Sequence, residues 1–72
     1  MAGRAAQDQA SQAGTVYNLA CFYARAGQVA PAVQRFRDAF AGDPSLVAWA
    51  RNDPDLDKIR DHPAMRELVP AG

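Results

Sequence analysis

The apolar residues in the first half of the chain recur at the spacing of one helical face. The first run consists of Val16, Leu19, Ala20, Tyr23 and Ala26. Separations of three and four residues place such a run on one side of an α-helix. Thr15 is a suitable N-cap and Gly27 a suitable residue just past the C-terminus. The pattern therefore predicts helix A over about 15–26, with Leu19, Ala20 and Tyr23 facing the core.

A second amphipathic run follows after Gly27-Gln28. It consists of Val29, Ala32, Val33, Phe36, Ala39 and Phe40, with polar residues on the opposite side. Pro31 falls in the first turn, where its missing N–H is tolerated. We expect helix B over roughly 29–41, ended by Gly42. The short connection predicts that the two helices pack as an antiparallel hairpin over 15–41.

The last third of the chain has a rhythm of prolines. Pro44, Pro54 and Pro63 are ten and then nine residues apart, and each is expected to open a short helix, at about 44–51, 54–60 and 63–69. Asp43 and Asp53 directly precede two of them as N-caps, and Asp61 stands two residues before the third. Each short helix carries two apolar residues at i, i+3: Leu46 and Trp49, Leu56 and Ile59, Met65 and Leu68. We expect these pairs to cover the hairpin, with Trp49 as a core anchor; an exposed binding platform is the alternative for Trp49.

These elements predict an all-α fold with one helical domain over 15–69. Residues 1–14 are rich in Ala and Gln, and alanine is the main apolar residue they could bury. We expect them to form a flexible segment or a frayed helix. A chain of 72 residues has room for one domain whose small core gives marginal stability.

Charge and composition narrow the function classes. Eight basic and eight acidic side chains give a formal net charge of zero, so the electrostatic footprint of a nucleic-acid binder is missing at the level of the whole chain. The sequence has neither an apolar run long enough to span a membrane nor the apolar centre of a signal peptide. We expect a cytoplasmic protein with a reduced thiol and no membrane partner.

Three features suggest chemistry, and each has a simpler structural explanation. Cys21 is the single cysteine and His62 the single histidine, far apart in sequence, so a thiol nucleophile with a nearby base is not indicated. Asp53, Asp55 and Asp57 alternate as in a calcium loop, but Pro54 interrupts them and the required glycine and glutamate are missing. Capping and helix-start charge explain the aspartates. We predict no enzyme activity, no catalytic residue, no cofactor and no metal.

Two helices joined by a short turn also permit a DNA-binding alternative. A helix-turn-helix reads DNA with a second helix rich in exposed polar and basic residues. Helix B carries only Arg35 and Arg37 there, followed by Asp38. A small helical DNA-binding or transcription-associated protein would require these arginines to converge with Arg51 and Arg60.

The hairpin resembles a tetratricopeptide (TPR) repeat over about residues 13–46. The positions that carry the resemblance are Leu19, Ala20, Tyr23, Gly27, Ala32, Phe36, Ala39 and Pro44. The tail "DPDLDKIRDHPAMREL" is similar to the segment that follows the last repeat in many bacterial TPR proteins. The resemblance implies a non-catalytic protein-interaction module with a groove lined by its first helix. It places five candidate partner-binding residues on that groove: Tyr17, Asn18, Cys21, Ala24 and Arg25.

The resemblance also raises the question of what covers a single repeat. One such unit does not normally bury its apolar face alone, and stability usually requires about three stacked units. The expected partner is therefore another protein or a second copy of this chain. The sequence therefore motivates the hypothesis of a homodimer.

Overall fold

The computed structural model describes the backbone of residues 2–70 and the side chains of residues 12–70. All regular structure within this range is helical. It comprises α1 (Ala2–Arg25), α2 (Val29–Gly42), α3 (Leu46–Arg51), a 3₁₀ turn (Pro54–Leu56) and α4 (Pro63–Leu68). The long helices α1 and α2 pack against each other, α1 also contacts the 3₁₀ turn, and α2 contacts α3 and α4. The predicted all-α class is confirmed.

The first helix begins much earlier than predicted. Thr15 lies inside α1 rather than at its N-cap, and the backbone from residue 2 to residue 14 continues the same helix. Alanine and glutamine favour helix strongly enough to extend it without large apolar side chains. Fraying of this part stays a prediction, since Met1 and the side chains of residues 2–11 lie outside the described residues.

Gly27 ends α1 as predicted, and the hydrogen bonds of the turn explain why glycine stands there. Its φ of 75° is left-handed, where a side chain would be strained. The Gln28 N–H donates to the Tyr23 carbonyl at 2.9 Å, and the Gly27 N–H donates to the Ala24 carbonyl at 3.0 Å. This pair is a Schellman motif, which satisfies the last carbonyls of the helix and turns the chain towards α2.

The buried face of α1 differs from the predicted one. Its fully or nearly buried members are Ala13, Tyr17, Ala20, Cys21 and Ala24. The prediction that Leu19 faces the core is wrong, because its side chain is 42% exposed, and Tyr23 is only half-buried. Ala20 belongs to both the predicted and the observed face. Most other residues of the observed face are small, which lets α2 approach closely. Because the prediction followed the large apolar residues, it placed the buried face of α1 a fraction of a turn away from the observed one.

The face of α2 agrees with the prediction. Ala32, Val33, Phe36 and Ala39 are buried. The Phe36 ring meets the Tyr17 ring edge-on with centroids 5.4 Å apart and stacks on Phe40 at 5.8 Å. Edge-on and offset pairs are the favoured arrangements of aromatic rings. Phe36 is thus the centre of the core between the two long helices.

Side-chain caps shape the C-terminal third. Asp43 Oδ1 accepts hydrogen bonds from the backbone N–H and the hydroxyl of Ser45, which forms an Asx turn before α3. This turn delays the start of α3 to Leu46, so Ser45 is its N-cap and the prediction of Asp43 as that cap is wrong.

Asp53 caps the 3₁₀ turn, as predicted, but that element is shorter than the expected helix at 54–60. At α4 the cap is His62, whose Nδ1 accepts from the Ala64 N–H at 3.2 Å. Asp61 is therefore not the cap of the last helix.

Two of the three apolar pairs cover the long helices. Leu56 and Ile59 are buried, as is Met65 from the last pair. The prediction for Trp49 is wrong, because its indole is 71% exposed, and Ala50 is buried in its place. Ala50 stands one full turn after Leu46, so the inward face of α3 runs through 46 and 50. Among the described helices, none is both long and apolar enough to cross a membrane.

Candidate functional site

One carboxylate joins the first helix to the C-terminal third. The Tyr17 hydroxyl donates to Asp53 Oδ2 at 2.8 Å, and the Cys21 thiol donates to the same oxygen at 3.6 Å. The other oxygen, Oδ1, accepts from the Asp55 N–H at 2.9 Å. We call these four residues, Tyr17, Cys21, Asp53 and Asp55, the Asp53 cluster.

Local sequence explains how the Asp53 cluster forms. Tyr17 and Cys21 are one turn apart, so both side chains project from the same side of α1. Asp53 precedes Pro54, which favours an extended residue before it and a helical turn after it. The capping geometry then directs the carboxylate of Asp53 onto Tyr17 and Cys21. One aspartate therefore serves both a local turn and a contact between distant parts of the chain.

Arg60 fixes the backbone on the other side of Asp53. Its Nη1 donates to the carbonyls of Ala50 at 3.2 Å and Arg51 at 3.0 Å, and its Nη2 donates to the carbonyl of Asp53. Its Nε lies 3.4 Å from Asp57 Oδ1. The Ala50 and Asp53 carbonyls also accept backbone N–H groups, so the guanidinium adds a second donor there and is the described donor to the Arg51 carbonyl at the end of α3. Arg60 therefore holds the segment that carries Asp53.

The electrostatics of the cluster keep its two acidic donors protonated. Burial raises the pKa of the Cys21 thiol to about 12, and the neighbouring Asp53 carboxylate adds to the shift. Burial, with a further contribution from Asp53, also raises the pKa of the Tyr17 hydroxyl well above its usual range. Near neutral pH both groups therefore act as neutral hydrogen-bond donors to the carboxylate.

The cluster contains the donor types of a metal site. Cys21, Asp53 and Asp55 each offer a ligand-type atom, and these atoms lie within 4.8 Å of one another. Thiolate, however, is the form that binds metals, and the raised pKa of Cys21 opposes it. The same shift opposes nucleophilic chemistry at the sulfur. The arrangement is better suited to hold elements together than to carry out a reaction.

An open groove runs beside the cluster. It consists of two adjoining depressions, each of about 550 Å³, that share Trp49 and Asp53 and that we call together the Trp49 groove. One depression is completed by Ala48, Asn52 and Pro54. The other is completed by Leu46 of α3 and, on α1, by Gly14, Thr15, Tyr17 and Asn18. The first depression therefore lies within the C-terminal third, and the second lies between that third and the first helix.

The structure brings some of the five predicted partner-binding residues together and separates others. Asn18 is exposed and lines the Trp49 groove, and Tyr17 lines it from below although its side chain is 7% exposed. Cys21 is buried against Asp53, and Ala24 is fully buried. Arg25 is exposed in the last turn of α1. Asn18 is therefore the member of the set with an accessible side chain beside the Trp49 groove.

Sequence reasoning placed neither Trp49 nor Asp53 at the candidate site. For Trp49 it favoured a core anchor over an exposed binding platform, and the burial of Ala50 instead turns the indole outward. The role of Asp53 as a cap was predicted, but its contact with α1 depends on how the C-terminal third folds back. That contact is a tertiary property, which a local motif does not encode.

Comparisons of this chain with protein-family models, with curated proteins and with solved structures found no match.

Proposed function

We propose that this chain is a non-catalytic protein-interaction module, built on a TPR-like antiparallel hairpin, that binds its partner in the Trp49 groove. The observation that carries the proposal is the exposure of Trp49, whose indole is 71% accessible although it is the largest apolar side chain present. Tryptophan is enriched among the residues that dominate binding energy at protein interfaces.

The surroundings of Trp49 support this use. The Trp49 groove is bordered by the amide side chains of Asn18 and Asn52, which can donate to and accept from a peptide backbone. An apolar centre with polar groups at its edge is the usual arrangement of an interface. The groove also borders the first helix, as the resemblance to TPR proteins implies.

The packing of the long helices supports the TPR-like part of the proposal. Three of the positions that carry the resemblance, Ala20 on α1 and Ala32 and Ala39 on α2, are fully buried. Small residues at these positions are typical of the close helix contact within a TPR unit.

A second apolar surface makes self-association part of the proposal. Phe22 on α1 is 59% exposed, and Leu19 lies next to it on the same face with 42% exposure. Exposed apolar patches on small proteins often mark interfaces. A second copy of this chain is therefore one candidate partner.

No observation favours the DNA-binding alternative over this proposal. Arg60 is occupied by backbone carbonyls and Asp57, and Arg35 pairs with Asp38 at 3.6 Å. Arg51 donates to the Pro70 carbonyl. Duplex binding that weakens steeply with salt would nevertheless favour DNA as the partner.

The proposal is tested by cross-linking in the native cell, followed by purification of the captured protein and measurement of its affinity. We expect Trp49→Ala to weaken that affinity at least about tenfold, as loss of an interface anchor typically does. Glu67→Gln, an exposed position on α4, is the matched control and should leave the affinity unchanged. Equal affinity of wild type and Trp49→Ala would refute the assignment of the surface.

A further inference from the structure

The Trp49 groove carries the negative charge of Asp53, with which no described cation forms an ion pair; Arg60 donates to the Asp53 backbone carbonyl and pairs with Asp57 instead. Within the described part of the chain, the donors to the Asp53 carboxylate are the Tyr17 hydroxyl, the Cys21 thiol and the Asp55 N–H, which are all neutral groups. Among the described residues, neither Asp53 nor Asp55 forms an ion pair. These neutral donors bind the carboxylate oxygens without compensating their charge.

An exposed indole and an ionised carboxylate at one site are complementary to a cation. The face of a tryptophan ring attracts cations through its quadrupole, and it does so better than the other aromatic rings. Trp49 and Asp53 both border each half of the groove. A cationic group placed there could contact the ring face and the carboxylate at the same time.

We propose that the partner inserts an arginine side chain into the Trp49 groove, where its guanidinium stacks on Trp49 and pairs with Asp53. This inference rests on the proposed function and specifies the partner chemistry. A guanidinium suits the site better than an ammonium because it is planar, weakly hydrated and able to stack while its edge donates hydrogen bonds. The amides of Asn18 and Asn52 then bind the backbone that flanks the arginine.

The charge of Asp53 distinguishes this occupant from a purely apolar one. An aliphatic or aromatic side chain over the groove would remove water from the carboxylate without replacing its hydration, which costs free energy. An arginine side chain covers the indole and at the same time compensates the charge of Asp53. The second carboxylate, Asp55, lies close enough to Asp53 to add to the attraction.

The test is an NMR titration of the full chain, labelled with ¹⁵N, using two peptide probes. One is the acetylated and amidated pentapeptide Ala-Ala-Arg-Ala-Ala, and the other replaces its arginine by the uncharged isostere citrulline. We expect the arginine peptide to shift the Trp49 indole N–H and the Asn18 and Asn52 amides, and to bind at least about fivefold more tightly than its citrulline twin. Its affinity should fall as salt is added.

Variants show whether the Trp49 ring and the carboxylates each contribute to binding of the arginine peptide. Trp49→Leu keeps an apolar side chain but removes the ring face, and Asp55→Asn removes a charge without touching the Asp53 hydrogen bonds to α1. Each should weaken the arginine peptide at least about threefold and leave the citrulline peptide little changed. Asp53→Asn should have a larger effect, and its amide spectrum reports whether the fold is kept. Glu67→Gln, which removes the same charge on α4, should have no effect.

Three results would overturn the inference. These are equal affinity for the arginine and citrulline peptides, unchanged arginine-peptide binding in Trp49→Leu, and concentration-dependent shifts of Trp49 that the arginine peptide does not reverse. The last result would identify a second copy as the occupant. If the arginine peptide fails to bind while the affinity of a purified partner still depends on Trp49, the proposed function stands and this inference fails. If the affinity of the purified partner is also independent of Trp49, both the proposed function and this inference fail.

Discussion

The hydroxyl of Tyr17 donates a 2.8 Å hydrogen bond to Asp53 across 36 positions of sequence. Through this contact the first helix holds the turn that begins at Pro54, because the same carboxylate also caps that turn through the Asp55 N–H. The bond thus connects the two long helices to the short elements that cover them. It also fixes one wall of the Trp49 groove.

Removal of the Tyr17 hydroxyl should therefore destabilise the chain. We expect Tyr17→Phe to lower the free energy of unfolding by about 1 to 2 kcal/mol, because a hydrogen bond to a charged acceptor is lost while the ring contact with Phe36 remains. Urea unfolding followed by circular dichroism measures the change. Tyr23→Phe is the control, since Tyr23 is half-buried and its hydroxyl bonds to no described residue. Equal losses in the two variants would contradict a specific role for the Asp53 contact.

Arg60 should contribute to stability through the carbonyls that it satisfies. Arg60→Ala leaves the carbonyls of Ala50, Arg51 and Asp53 without this donor, and we expect a loss of about 2 kcal/mol. Thermal or urea unfolding gives the value. Arg66→Ala removes an equal charge from an exposed position of α4 and should change stability by less than about 0.5 kcal/mol. If Arg60→Ala is as mild as the control, the guanidinium does not hold this segment.

The Cys21 thiol should react slowly in the folded chain. It is 5% exposed, and burial raises its pKa to about 12, so both access and thiolate population are low. We expect alkylation by iodoacetamide at pH 7.5 to be at least about a hundredfold slower in buffer than in denaturant. Mass spectrometry follows the single labelling site. Rapid labelling of the folded chain would instead indicate an activated thiol and reopen a thiol-enzyme function.

Alkaline conditions should weaken the fold. Below a pH of about 8.5 the Cys21 thiol is neutral in both the folded and the unfolded state, so it adds no pH dependence to the free energy of unfolding. Above that value the unfolded thiol loses its proton while the folded one keeps it, because burial raises the pKa of Cys21 to about 12. The unfolded state is then favoured by at most about 1.4 kcal/mol per pH unit. Tyr17, whose pKa burial also raises, adds the same effect from about pH 10.

Urea unfolding at intervals between pH 7 and pH 10 measures this dependence. Cys21→Ala should remove the loss of stability that begins near pH 8.5, so that stability falls only once Tyr17 titrates. A free energy of unfolding that stays constant from pH 8 to pH 10 in wild type would contradict the buried, carboxylate-bound state of Cys21.

The sequence allowed prediction of the bounds of α2 and α4 and of the C-terminal end of α1, but not of where α1 and α3 begin or of the 3₁₀ turn at Pro54–Leu56. Gly27 and Asp53 were recognisable because their roles depend on adjacent residues: glycine adopts the left-handed turn, and aspartate before proline caps the next one. The pattern of α2 was equally clear, since Phe36 and its neighbours leave one choice of buried face.

The orientation of α1 and of α3 could not be predicted from the same signals. Leu19 and Tyr23 are larger than Ala20, Cys21 and Ala24, yet these three small residues are buried on α1 together with Tyr17. At α3, burial of Ala50 turns Trp49 outward. Both outcomes depend on how closely the elements pack, which the apolar character of single residues does not determine. For this reason the Trp49 groove became visible in the structure and not in the sequence.

The affinity of a purified partner for wild type and for Trp49→Ala decides whether Trp49 is the anchor of the interface. We expect Trp49→Ala to weaken binding at least about tenfold and to change the free energy of unfolding by less than about 1 kcal/mol, because a mostly exposed indole contributes little to the core. Unchanged affinity together with a loss of stability of 3 to 5 kcal/mol, roughly that of a buried tryptophan, would contradict this expectation.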